Sequence, residues 1–330
     1  MNFNYQKICN DLLKDLPERT KDVISRRFGL IKTKSGSAER ETLELIGESY
    51  GITRERVRQI EEDGLSILKP KVKNYERVLK YFSGEIKKRG GLWREDLLLP
   101  HLGGKLFQNQ VFFLLTLGDQ FCRFSEAKDL YPFWTTDEKS LNRAQDSIQS
   151  FYNKLEKINH PILLKEYISA ANLPSQNLIS YLEISKKIQL TSEGLYGLRD
   201  WPEVNPRGVK DKAYLVFKKE CKPLHFSEVA NLIPGKALVQ TVHNELIKDP
   251  RFVLVGRGLY ALREWGYEEG AVKDIILKAL QGAKKPLTKE DVLNKVLKQR
   301  MVKESTVLLN LGNKEYFEKT PDGYYTVKEA

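Results

Sequence analysis

The chain has 330 residues, more than one small hydrophobic core serves, so two or more domains are expected. Its 55 Lys and Arg outnumber 44 Asp and Glu, and the net charge of +11 suits nucleic acid or another polyanion as partner, though on its own it suits plain solubility equally. No apolar run reaches the roughly 18 residues of a bilayer span, which excludes a membrane-spanning segment.

The opening MNFNYQKICNDLLKDL is broken by charges and lacks the apolar run of a secretory signal. Cys9, Cys122 and Cys221 are scattered and odd in number, so neither a disulfide framework nor a zinc site is expected, and a reducing cytoplasm fits. Leu16-Pro17-Glu18-Arg19 marks a helix start, because Pro suits a first turn whose N–H groups lack partners. Val23, Ile24 and Phe28 form its apolar face and Gly29 its left-handed stop. Residues 31–40 read as a flexible basic loop.

A second helix is expected from Thr42 to Ser49, with Leu43, Ile46 and Tyr50 on one side. Gly51 supplies the positive φ of a tight turn and Thr53 caps a third helix over 54–68. In that helix Val57, Ile60, Leu65 and Leu68 point inward. Arg54, Glu55, Arg58 and Gln59 are left outward on its first two turns. Arg pairs with guanine O6 and N7, Gln with adenine, and Glu accepts from cytosine N4, so this face suits the major groove. Arg56 and the tail of Lys69, Lys71 and Lys73 are placed for phosphates, which position without specifying. A solvated, salt-bridged helix face is the competing reading of such a string, and its place after a tight turn favours DNA.

LPERTKDVISRRFGL followed by TLELIGESYGITRERVRQIE resembles region 4 of the sigma-70 family, over about residues 10–72. The resemblance implies that Arg54, Glu55, Arg58 and Gln59 contact the −35 element of a promoter and that Thr42 and Arg56 lie near its phosphates. With Thr53 and Lys69, these complete the expected phosphate contacts. It also implies bacterial RNA polymerase as a partner, met by the apolar residues of 16–30. Two departures stand out. Glu62-Asp63-Gly64 replaces the small and basic residues expected there, which weakens phosphate attraction and puts a Gly in mid-helix. Nothing resembles the strand-opening region of that family, and Trp93, Trp134, Trp201 and Trp265 are dispersed.

The remainder repeats itself. GLYGLRDW at 194–201 returns as GLYALREW at 258–265, and more weakly as GYYTVKE at 323–329. PILLKEYI at 161–168, PLHFSEVA at 223–230 and PLTKEDVL at 286–293 keep nearly the same step, with GLWREDLL at 91–98 as a first copy. Asp96 there takes the place of Glu166, Glu228 and Asp291. In the 205–267 stretch, helices near 209–219, 223–233 and 237–248 precede a hairpin about Gly256-Arg257-Gly258, the pattern of a winged helix. This stretch resembles the HARE-type helix-turn-helix family, which includes the N-terminal domain of the RNA polymerase delta subunit. That resemblance transfers no contact residues. Tyr196, Leu198, Tyr260, Leu262 and Trp265 are expected in the core rather than as a base-stacking platform. Arg257, Lys218, Lys219, Lys222, Lys284 and Lys285 suit either phosphate or plain solvent.

Enzymatic readings find little. His101, His160, His225 and His243 are far apart in sequence and sit in no metal or nucleophile motif, with His225 and His243 expected on helix surfaces. Gly103-Gly104-Lys105 lacks the earlier Gly of a phosphate loop, and Pro321-Asp322 lacks the further acidic residue of a nuclease strand.

The expected fold is mainly α, with a helix-turn-helix domain over 1–72 and three or four winged-helix units bearing short hairpins, strung as beads. These are a divergent unit at 73–138, then 139–204, 205–267 and 268–330. The expected function is that of a DNA-binding transcription regulator or partial sigma factor in the nucleoid. Its partners are promoter DNA and bacterial RNA polymerase, with no enzymatic activity and no small-molecule substrate. The alternatives are a delta-like polymerase subunit binding mainly protein, or a targeting module for a restriction-type enzyme.

Overall fold

The computed structural model describes residues 3–31, 39–168, 174–235, 237–283 and 285–328. Most of the expected loop at 31–40, and Lys284, lie outside them. The chain divides into two compact units, 1–200 and 201–330.

The first unit opens with α1 (Tyr5–Leu13), a helix with no counterpart in the sequence reading. Asn4 caps it by accepting from the Lys7 N–H at 3.0 Å, and Tyr5, Ile8, Cys9, Leu12 and Leu13 bury one face. Then come α2 (Glu18–Phe28), ended by a left-handed Gly29, α3 (Leu43–Tyr50) and α4 (Arg54–Val72). Helix α4 runs past its expected end. Pro70 is tolerated in its last turn because Ser66, whose carbonyl loses a partner, is exposed.

Next follow α5 (Glu76–Lys88), β1 (Leu92–Arg94), α6 (Glu95–Gly103), α7 (Gln108–Leu117), β2 (Cys122–Phe124) and β3 (Phe133–Thr135). The strands order as β1-β3-β2, all antiparallel, with Trp134 opposite both Trp93 and Arg123. The same order returns in α8 (Glu138–Ile158), β4 (Ile162–Leu163), α9 (Lys165–Ile168), α10 (Ser175–Glu183), β5 (Ile188–Leu190) and β6 (Leu195–Leu198), whose sheet runs β4-β6-β5.

The first unit is not a string of beads. Tyr5 and Leu12 of α1, Ile24 and Phe28 of α2 and Leu68 of α4 share one core with Phe82, Phe113, Leu114 and Trp134. The reason lies in α7, QNQVFFLLTL, which buries Val111, Phe113, Leu114, Leu115 and Leu117. A helix apolar on nearly every side must be covered from several directions, and α1, α2 and α4 supply part of that cover. Tyr5 also donates its hydroxyl to the Leu102 carbonyl at 3.0 Å. Further on, Leu92 and Phe133 pack with Ala144, Tyr181 and Ile184, and the Tyr131 N–H donates to the Ile184 carbonyl at 2.9 Å.

The second unit holds α11 (Gly208–Glu220), β7 (Leu224–His225), α12 (Phe226–Leu232), α13 (Val239–Lys248), β8 (Phe252–Gly256) and β9 (Leu259–Leu262), with sheet order β7-β9-β8. It ends with α14 (Val272–Ala283), α15 (Lys289–Gln299), α16 (Glu304–Leu311), β10 (Phe317–Lys319) and β11 (Tyr325–Val327). There the short first strand is reduced to a bridge between Leu287 and Tyr325. Arg300, 3% exposed, ties these parts together by donating to the Glu268 and Gly270 carbonyls at 2.7 Å.

The recurring sequence markers have physical reasons. Asp96, Glu166, Glu228 and Asp291 each stand in the first turn of the helix after the short strand or bridge, where a carboxylate meets the positive helix end. Gly194, Gly258 and Gly323 all adopt positive φ (80°, 71° and 88°), and a Cβ on Gly258 would sit 2.4 Å from His225 Nε2. Tyr196, Leu198, Tyr260 and Leu262 are buried as expected. His225 and His243, by contrast, are not merely helix-surface residues. Both rings lie 4.3 Å from Phe226, and His225 Nδ1 caps α12 by accepting from the Ser227 N–H.

Phe113→Ala should cost about 3–5 kcal/mol, as for other buried aromatics. Hydrogen exchange should then show residues 5–72 losing protection together with 76–135. Independent loss in the two segments would contradict a shared core.

Candidate nucleic-acid interface

The hairpin of α3 and α4 is held by local signals and by cross-links from α2. Thr42 caps α3, its hydroxyl accepting from the Leu45 N–H at 3.3 Å. Gly51 takes φ 62° and lets the Ile52 N–H reach the Gly47 carbonyl at 3.0 Å. Thr53 caps α4 by accepting from the Arg56 N–H at 3.2 Å. Val23, Ile46, Val57 and Ile60 form a small core of their own between the three helices.

Polar ties surround it. Arg26 grips Glu41 with two nitrogens, at 2.7 and 3.1 Å, and donates to Ser49 Oγ at 2.8 Å. The Glu41 carboxylate raises the pKa of that guanidinium further. Tyr50 donates to Asp22 at 2.8 Å. Gly64, the mid-helix departure, is where α2 crosses α4. A Cβ there would lie 2.5 Å from Ile24 Cδ1 and 2.6 Å from Thr20 Cγ2, so close approach outweighs poor helix propensity.

Arg54, Glu55, Arg56, Arg58 and Gln59 are all exposed on the first turns of α4. Thr42 lies toward the same end, since Glu44 in the first turn of α3 reaches Arg54 at 2.9 Å. Lys69 does not join them. It is exposed about four turns further along α4, roughly 22 Å from Arg54 at ~1.5 Å per residue. Lys71 is engaged with Asp15 at 2.9 Å.

Each cation of this face is already paired within the chain. Arg54 meets Glu44, and Arg56 donates to Gln59 Oε1 at 3.0 Å. Arg58 is bracketed by Glu55 at 2.6 Å and by Glu62. The hydrogen bonds from Arg58 hold the Glu55 carboxyl below the usual carboxylate range. Such exposed pairs are weak and screened by salt, so a base edge or phosphate can replace them. Their effect is on local charge, because Glu44, Glu55 and Glu62 offset Arg54, Arg56 and Arg58.

The pairings of Arg58 were legible as three- and four-residue spacings on a helix. The Glu44–Arg54 contact crosses a turn, and no local pattern announces it. Elsewhere, Arg257 is exposed at the β8–β9 turn. Lys218 pairs with Glu264 at 3.1 Å, and Lys222 lies 4.0 Å from Glu228.

Comparison with known proteins bears on this domain. Residues 12–69 match the family Sigma-70, region 4. Over 68 residues the chain is 41% identical to RNA polymerase sigma factor RpoS of Coxiella burnetii, covering 21% of this chain and 18% of that protein. Over 71 residues it is 44% identical to RNA polymerase sigma factor RpoD of Helicobacter pylori, covering 22% of this chain and 10% of that one. The chain thus spans less than a fifth of the length of these curated relatives. The match gives the first unit a Sigma-70 region 4 domain and leaves the residues beyond it unassigned.

Two substitutions probe this geometry. Glu62→Gln should remove one of the two carboxylates on Arg58, leaving Glu55, and tighten binding to duplex DNA of any sequence about two- to fivefold at low salt, with the gain fading as salt rises. Fluorescence anisotropy at several salt concentrations measures it. Gly64→Ala should destabilise the first unit by about 1–3 kcal/mol through overpacking against α2, despite better helix propensity. A rise in melting temperature would show that the α2–α4 contact relaxes freely.

Proposed function

We propose that this chain binds double-stranded promoter DNA through the N-terminal turns of α4 and acts with bacterial RNA polymerase, as a transcription regulator or partial sigma factor. One observation carries the reading. Within a Sigma-70 region 4 domain, Arg54, Glu55, Arg58 and Gln59 stand together, exposed, on a helix capped by Thr53 after a tight turn. These side chains match the hydrogen-bonding edges of the major groove. Arg56, Thr53 and Thr42 are then the phosphate neighbours, and Lys69 is reserved for DNA that continues along α4.

The stretches after residue 72 are read as winged-helix units of HARE type. Their support is the order helix, short strand, helix, helix, hairpin, with the first strand joined to the last. No helix among the described residues is long and apolar enough to cross a membrane. A non-enzymatic role at the nucleoid completes the proposal.

A second reading has an observation in its favour. The balanced charge of the α4 face favours a polymerase accessory role in which that face meets protein rather than DNA. Selection of bound sequences from a random duplex pool separates the two. Base reading predicts a defined site, with Arg58→Ala relaxing one position roughly ten- to hundredfold. If Arg58→Ala keeps the whole preference, or no site emerges, groove reading through α4 is wrong.

A further inference from the structure

A cavity of about 360 Å³ opens in the first unit between the region 4 helices and the stretch that follows. Its walls come from α2, α4, α7, β2, β3 and the segment leading into α3. Three guanidinium groups line it, those of Arg27, Arg40 and Arg123. The fork of Arg123 is spent on Glu95, at 2.5 and 3.0 Å, so that residue adds charge to the cavity but few free donors. Arg27 is less well served. Its Nη1 donates to the Glu41 carbonyl at 3.1 Å, while its Nε lies 3.4 Å from Glu61 and is buried without a hydrogen bond.

Arg40 is the least satisfied of the three. Its Nε donates to the Asn109 side-chain oxygen at 3.0 Å, and among the described residues neither its Nη groups nor its charge meets a carboxylate. Burial lowers its pKa, and the nearby Arg123 and Arg27 lower it further against the pull of Glu95. A partly buried cation held among other cations without an anion of its own is costly, and the cost is relieved when an anion binds. Burial also raises the Glu61 carboxyl, which eases its protonation when a second anion enters. With Glu61 neutral, three guanidinium groups face the single carboxylate of Glu95, and a dianion completes neutrality.

We infer that this cavity binds one compact, doubly charged phosphate group, with Arg40 and Arg27 as its ligands. The charge and the unspent N–H groups define the ligand, because no ring face is open to it. Phe112 is covered by the guanidinium of Arg40 at 3.7 Å and by that of Arg123 at 5.3 Å, and Trp134 is 2% exposed. Planar guanidinium forks match the oxygens of a phosphate. The double charge separates inorganic phosphate and phosphomonoesters from the singly charged diesters of a DNA backbone. Arg27 comes from α2, Arg40 from the residues just before the α3 cap, and the Phe112 ring beneath Arg40 from α7. An anion held there braces the entry to α3 against α7, independently of whether α4 reads a groove.

Thermal melting and calorimetry of the full chain at neutral pH and constant ionic strength test the assignment, with inorganic phosphate, ribose 5-phosphate and acetate as probes. Inorganic phosphate or ribose 5-phosphate should raise the melting temperature saturably and bind one per chain, at least about tenfold more tightly than acetate. The tighter of the two tells a free anion from a phosphomonoester. Arg40→Met should weaken that binding tenfold or more, about 1.4 kcal/mol, while leaving the anion-free protein as stable as before or more so. Thr116→Phe, which fills the cavity from α7 and keeps every charge, should abolish it. Arg257→Met, which removes an exposed cation from the second unit, should leave it unchanged. The inference is overturned if neither phosphate binds, if acetate binds as tightly, or if Arg257→Met weakens binding as much as Arg40→Met. Competitive displacement of phosphate by a duplex lacking terminal phosphates would equally overturn it, by assigning the arginines to DNA backbone.

Discussion

The apolar surface of α7 is the constraint on which the first unit depends. Val111, Phe113, Leu114, Leu115 and Leu117 make that helix apolar on nearly every side, and one layer of neighbours does not cover it. The region 4 helices therefore serve two purposes. Their outward turns carry the polar side chains of α4, and their inward faces seal α7. Burial of Phe28 and Leu68 against Phe113 and Trp134 replaces the flexible tether that a separate bead would need.

The electrostatics of α4 follow a different logic from its packing. A net charge of +11 for the whole chain does not concentrate on the first turns of α4, where Glu44 meets Arg54, Glu55 and Glu62 meet Arg58, and three carboxylates balance the three arginines at 54, 56 and 58. A face so balanced gains little from long-range attraction to DNA. In the proposed role such a face would discriminate by what each group finds in the groove, because a base edge that leaves Arg58 or Glu55 worse satisfied than their mutual pairing is disfavoured.

What the sequence disclosed was local. Pro17, Gly29, Gly51 and Thr53 act on the backbone within a few residues, so the ends of α2, α3 and α4 could be read without tertiary knowledge. Repeats with a step near 63 likewise exposed a common element order, because left-handed glycines and first-turn carboxylates are set by each unit alone. The stretch 73–138 kept that order and the Asp96 marker while losing the closing Gly-Leu-Tyr motif, and its interior answers to the region 4 helices as well as to its own sheet. Helix α1, the purpose of Gly64 and the gathering of Arg27, Arg40 and Arg123 stayed hidden for one reason. Each depends on partners tens of residues away, and no periodicity encodes which apolar faces meet.

The shared core has a geometric consequence for DNA. With a core shared between α4 and the stretch after it, α4 keeps a fixed azimuth relative to the elements of residues 76–135. If α4 holds a duplex as proposed, any second surface of that stretch that touches it does so at one helical phase. Because B-DNA turns once in about 10.5 base pairs, a duplex bound as proposed would meet the rest of that rigid stretch at one angle around its axis, so the spacing of two contacts along the DNA would be set by the fold.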